Sequence, residues 1–122
     1  EYGGDPVGGV LHELRAALER AETGGVEPHR VVVDPGLGFS KTPEQSLAVL
    51  DGLAALTALG RPILVGPSRK RFLGHATGRD ASDRDRATAA ACVLAWERGA
   101  RLFRVHEPAA VRDALALAAA IT

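Results

Sequence analysis

Asp34, Lys70, Arg104 and His106 are the residues best suited to chemistry, because each follows the end of a short apolar run. Val31-Val32-Val33 leads into Asp34-Pro35-Gly36-Leu37-Gly38-Phe39-Ser40-Lys41, and Ile63-Leu64-Val65 into Gly66-Pro67-Ser68-Arg69-Lys70-Arg71-Phe72-Leu73-Gly74. Leu102-Phe103 leads into Arg104-Val105-His106-Glu107-Pro108. Each run is followed by Gly, Pro and charged residues and then by a helical pattern. Successive βα units are laid out in this way, and the carboxyl ends of their strands share one rim. An Asp, a Lys and an Arg/His pair on one rim suit a polar heterocycle carrying phosphate. A carboxylate such as Asp34 can accept two hydrogen bonds from the ring N–H and exocyclic amine of an amino-pyrimidinone. It can equally form an Asp-Pro turn or a helix cap. Arg104 and His106 alternate, so on a strand they share a side. There they form an anion pocket or a surface Arg-Glu pair, and the planar guanidinium can also stack on a ring face.

The elements that must hold these residues are legible in outline. Asp5-Pro6 reads as the N-cap and first residue of a helix carrying Val7, Leu11, Leu14, Leu18 and Ala21, stopped at Gly24-Gly25. Arg30 to Asp34 reads as a first strand, and its unbroken valines suggest cover on both faces. Thr42-Pro43-Glu44-Gln45 has the form of a capping box opening a helix that ends at Gly60. Pro62 to Gly66 is the second expected strand. Ser68 is placed to cap a short helix whose first turn ends at Gly74. A polar loop from His75 to Asp85 precedes a long helix from Arg86 to Arg98 with two apolar stripes. Trp96 on that helix has the character of an interface anchor. Arg101 to His106 is the third strand, and Pro108 opens the last helix. His12, His29 and His75 lack ligand spacing, and Cys92 reads as a small packing residue.

Composition narrows the possibilities. The chain has 122 residues, with 15 Lys+Arg and 15 Asp+Glu, so its formal net charge is zero. No bulk field favours nucleic acid, and no basic run is interleaved with aromatics. One Cys excludes an internal disulfide and a Cys-based zinc cluster, and it fits a reducing, cytoplasmic compartment. No apolar stretch is long enough for a membrane span, and no basic-then-apolar leader opens the chain. A (β/α)8 barrel takes roughly 250 residues. With three βα units, no Met and a start at Glu1, the chain reads as a fragment.

The three segments together resemble the C-terminal half of dihydropteroate synthase, an enzyme of folate biosynthesis. The resemblance rests on Asp34-Pro35-Gly36-x-Gly38-Phe39-x-Lys41, on Ser68-Arg69-Lys70-x-Phe72-x-Gly74 and on Arg104-Val105-His106, in order and with helix-length gaps. It implies an α/β fold, the C-terminal part of a (β/α)8 TIM barrel. Three parallel βα units preceded by a helix would form one partial domain over residues 1–122. It implies condensation of a dihydropterin pyrophosphate with p-aminobenzoate. Asp34, Gly66, Lys70 and Arg104 would meet the pterin, and Phe39, Pro67, Ser68 and Arg71 the p-aminobenzoate. Arg104 and His106 would take the pyrophosphate, so Lys70, Arg104 and His106 are the expected catalytic groups. Some family members carry Ser where this chain has Arg71, and Glu107-Pro108 replaces a common Asp and small apolar residue. The resemblance further implies Mg2+, with no ligand in this chain, and a homodimer through the C-terminal helices. Alternatives are a non-catalytic or diverged pterin-binding paralogue, or the pterin domain of a methyltetrahydrofolate methyltransferase, which does not normally carry the Ser-Arg-Lys turn.

Overall fold

The structure is a computed structural model that describes residues 2–122. Helix α1 (Pro6–Thr23) is followed by α2 (Pro43–Asp51), β1 (Ile63–Val65), α3 (Arg71–Thr77), α4 (Asp85–Glu97), β2 (Ala100–Phe103) and α5 (Pro108–Ala120). β1 and β2 are parallel, pairing Ile63 with Ala100, Leu64 with Leu102 and Val65 with Phe103, with an irregularity between Ile63 and Leu64. Val33 joins the other edge of β1 by a single parallel bridge. All three apolar runs are therefore side by side, in chain order, with their carboxyl ends at one rim.

Helix starts follow their sequence signals. The Asp5 carboxylate accepts from Gly8 N at 3.0 Å, and Pro6 occupies the first turn of α1. At α2 the reciprocal box forms: Gln45 N donates to Thr42 Oγ1 at 3.1 Å and Thr42 N to Gln45 Oε1 at 2.9 Å. Around the sheet, Val33, Leu37, Val49, Leu53, Leu56, Ile63, Val65, Phe72, Ala91, Ala95 and Ala100 form the buried core. Each large apolar side chain fully removed from water contributes about 1.5–3 kcal/mol.

Four elements depart from the sequence reading. Arg30–Asp34 is not a full strand. Pro28–Arg30 forms a 3-10 turn, Val31 N is bound to Pro28 O at 3.2 Å, and Val32 is exposed. Val33 keeps two ladder bonds, Val33 N to Pro62 O at 2.9 Å and Leu64 N to Val33 O at 2.8 Å. With no neighbour on its other edge among the described residues, the run has half the pairing of a central strand. The expected helix to Gly60 breaks at Gly52 into a 3-10 segment, Leu53–Leu59. Ser68 does not cap α3. Lys70 occupies the N-cap position without a side-chain cap bond, and the helix runs past Gly74 to end at left-handed Gly78. The third strand stops at Phe103, so Arg104 and His106 lie beyond it rather than on one side of it.

Candidate active site

The first rim segment is a tight loop built on glycine. Asp34 Oδ1 accepts from Gly36 N at 2.8 Å, and Phe39 N donates to Gly36 O at 2.9 Å. Gly36 and Gly38 have φ of 70° and 84°, a left-handed region that costs other residues more. Leu37 is fully buried and anchors the loop to the core. Ser46 on α2 is also buried, and its hydroxyl accepts from Gly38 N at 3.0 Å. Lys41 closes the loop from below, donating to Gly36 O at 2.8 Å and Phe39 O at 3.0 Å. Burial lowers the Lys41 pKa against the raising effect of Glu13 and Asp34. Phe39 is left 62% exposed at the tip, a large aromatic with no core to fill.

The second segment is held from two directions. Gly66 and Pro67 are buried, and the Arg104 guanidinium lies where a Gly66 side chain would stand, 2.8 Å from an ideal Cβ. Ser68 Oγ meets His106 Nδ1 at 2.6 Å and accepts from His106 N at 3.0 Å. Arg69 adopts φ 58°, an uncommon conformation for a side-chain-bearing residue. The start of α4 supports that conformation. Arg69 Nε and one terminal nitrogen donate to the two Asp85 oxygens at 2.9 and 3.1 Å. Arg69 N donates to buried Thr88 Oγ1 at 3.1 Å, and Arg84 donates to Arg69 O at 3.0 Å. The end of the polar His75–Asp85 loop is thus more than a connection, since Arg84 and Asp85 grip the turn.

Lys70 crosses from this turn to the first loop. Its ammonium donates to Leu37 O at 2.6 Å and sits 4.5 Å from the Phe39 ring centroid, within cation–π range. Its stem passes against Gly38, where an added Cβ would lie 3.0 Å from Lys70 Cδ. Burial lowers the Lys70 pKa, opposed by the Asp34 charge and reinforced by Arg104 and Lys41. Arg104 reaches back toward the first loop, 3.5 Å from Asp34 Oδ2.

Asp34, Phe39, Gly66, Lys70 and Arg104 therefore converge, and Ser68 and His106 form a second, linked pair. Arg71 is exposed and lines a cleft of about 410 Å³ with Gly38, Phe39, Arg69 and Lys70. Pro67 contributes buried packing rather than surface in this chain. Sequence reasoning did not single out Ser46, Thr88 or Asp85. Only their tertiary contacts distinguish them from ordinary helix residues. Among the described residues no three His, Cys, Asp or Glu side chains cluster as a metal site. Chemically, the rim offers one carboxylate acceptor, two cations and an imidazole around an exposed aromatic.

Comparison with known proteins agrees with this geometry. Residues 1–106 match the family described as Pterin binding enzyme. The dihydropteroate synthase of Mycobacterium leprae is 45% identical over 117 residues, covering 91% of this chain and 41% of that protein. A Mycobacterium tuberculosis protein named inactive dihydropteroate synthase 2 is 40% identical over 115 residues, covering 94% and 36%. Among solved structures, Xanthomonas albilineans dihydropteroate synthase in complex with 7,8-dihydropteroate superposes with a TM-score of 0.94 at 39% identity. That match covers 97% of this chain and 47% of the other. The chain thus spans less than half the length of these three relatives, and its α/β fold corresponds to the C-terminal part of the barrel. With its three rim segments in the order and geometry described, the chain belongs to the pterin binding enzyme family.

Proposed function

We propose that the chain supplies the strand-end half of a dihydropteroate synthase site, which joins a dihydropterin pyrophosphate to p-aminobenzoate and releases pyrophosphate. The observation that carries this reading is the approach of Arg104 to Asp34 across neighbouring strand ends, 3.5 Å apart, with the Lys70 stem against Gly38 of the same loop as Asp34. Asp34 spends one oxygen on Gly36 N and keeps acceptor capacity for the amino-pyrimidinone edge. Lys70, now bound to Leu37 O, turns to donate to pterin ring acceptors, and Arg104 covers the ring face. The arylamine nitrogen attacks the exocyclic methylene carbon. The C–O bond to pyrophosphate breaks with its electron pair, and the amine loses a proton. Arg104 and His106 stabilise the departing anion, while Phe39, Ser68 and Arg71 border the p-aminobenzoate and Pro67 packs beneath them. Positioning and charge stabilisation carry the rate, since no covalent nucleophile is required. Magnesium is part of the proposal as a companion of the pyrophosphate. The described residues do not form a ligand set that fits it.

Titration of the complete barrel containing this chain with a pterin analogue tests the reading. Asp34→Asn is expected to weaken binding at least about tenfold, the scale of one lost charge-assisted bond. Unchanged affinity would remove Asp34 from the site. A second reading, a pterin binder without turnover, is favoured by the 40% identity to the inactive mycobacterial protein. Pterin binding without dihydropteroate formation in the parent selects it.

The proposal extends to a homodimer through the C-terminal helices, in a cytoplasmic setting. No helix among the described residues is long and apolar enough to cross a membrane. α4 and α5 flank an open groove of about 620 Å³ containing Val93, Trp96 and Leu117, and Leu94, Leu117 and Ile121 are exposed. Arg101 covers the Trp96 ring at 5.0 Å. Trp96→Lys should shift sedimentation toward monomer, and an undiminished dimer would exclude this face.

A further inference from the structure

We infer that Ser68 is a positioning residue for His106, fixing the neutral tautomer that carries its proton on Nε2. The inference rests on the proposed role of His106 at the pyrophosphate and gives that role a proton and a support.

Ser68 is 8% exposed, and its hydroxyl has two partners among the described residues, both on His106. His106 N donates to Ser68 Oγ at 3.0 Å, and this fixes the oxygen as an acceptor toward the backbone. The hydroxyl still has one hydrogen to place. Nδ1 stands 2.6 Å away, a short distance, and is the acceptor the structure offers. If Nδ1 carried a hydrogen, both His106 groups would donate to Oγ. The Ser68 proton would then be left without a protein acceptor on a nearly buried side chain, which is costly. Ser68 therefore donates to Nδ1, and the imidazole hydrogen resides on Nε2. A ring nitrogen's state is set by the bond its partner makes in this way.

The pairing has two consequences for the proposed reaction. His106 meets the pyrophosphate as a hydrogen-bond donor through Nε2–H without having to be charged. Ser68 is also committed to His106, so its influence reaches the leaving-group side even though its loop borders the p-aminobenzoate cleft. Thr88 and Arg84 grip the Arg69 backbone and Asp85 its guanidinium, so the Ser68 oxygen is presented from a fixed base.

The test uses the complete barrel containing this chain, with 15N-labelled histidine. His106 is assigned by loss of its signals in His106→Gln. In the unsubstituted protein a pyridine-like Nδ1 and pyrrole-like Nε2 are expected. Ser68→Ala should let His106 populate both tautomers and weaken inorganic pyrophosphate about tenfold, with a much smaller effect on the bare pterin. Ser68→Thr, which keeps the hydroxyl, should restore the tautomer. A pyrrole-like Nδ1 in an unsubstituted protein that binds pyrophosphate would overturn the tautomer while leaving the site reading intact. Failure of the unsubstituted protein to bind pyrophosphate would instead overturn the site reading and the role of Ser68 with it. The first measurement needs no Ser68 variant, so a misfolded Ser68→Ala does not decide the matter.

Discussion

Gly66 and Arg104 illustrate how one missing side chain organises a site. The guanidinium occupies the space a Cβ at Gly66 would need, and from there it approaches Asp34. A methyl group at Gly66 would have to move Arg104 before it met anything else. Cys92 is an opposite kind of residue, one with chemistry that the fold suppresses. It is fully buried on α4, and burial raises its thiol pKa from 9.0 to about 11. The folded state therefore holds a proton that the unfolded chain gives up. The associated stability is complete below pH 9.0 and is lost as pH rises to about 11. The expected slope across that window is about 1.4 kcal/mol per pH unit. Denaturant melts of the parent and Cys92→Ala at several pH values check this. Parallel curves for the two would remove the thiol as the cause.

At the scale of elements, the start of α4 and the Ser68–Lys70 turn act as one piece. Arg69 holds a left-handed backbone because Asp85, Thr88 and Arg84 each bind it. Asp85→Asn keeps the size and loses the charge. It is expected to raise KM for p-aminobenzoate several-fold while leaving pterin affinity near that of the parent, because Asp34 and Arg104 are untouched. Equal losses for both ligands would indicate general destabilisation. This coupling also marks the limit of what the chain discloses. Signals within a few residues were legible: the Asp5 cap, the Thr42–Gln45 box and the apolar runs before each rim segment. So was the placement of Asp34, Lys70 and Arg104 at one rim, because strand ends deliver them. Ser46, Thr88 and Asp85 were not, since their partners lie 8, 19 and 16 residues away and only packing selects them. The first strand was over-read for a related reason. Three valines specify a preference for pairing, but the number of neighbours decides how much pairing occurs.

At the largest scale, three parallel runs give a sheet that, among the described residues, has an uncovered side at Val33. Such an edge invites association, and an open rim neither excludes water nor fixes two substrates together. The 122-residue chain by itself is expected to form no dihydropteroate and to self-associate. Mixing it with the barrel segment that precedes the matching region in its relatives should restore some turnover and a defined size. A stable monomer with full turnover by itself would refute this.

The lone bridge at Val33 also supplies an isotopic gauge of that assembly. In a parallel ladder alternate residues bond to opposite sides. Val33 spends its N–H on Pro62 O and its C=O on Leu64 N, so the N–H groups of Val32 and Asp34 face the free side. Val33 should take up deuterium slowly in the isolated chain, Val32 and Asp34 quickly. When a neighbouring strand docks, uptake at Val32 and Asp34 should slow while Val33 changes little. Because one of these amides belongs to the aspartate proposed to hold the pterin, the exchange rate would report barrel closure at the residue on which that binding would depend.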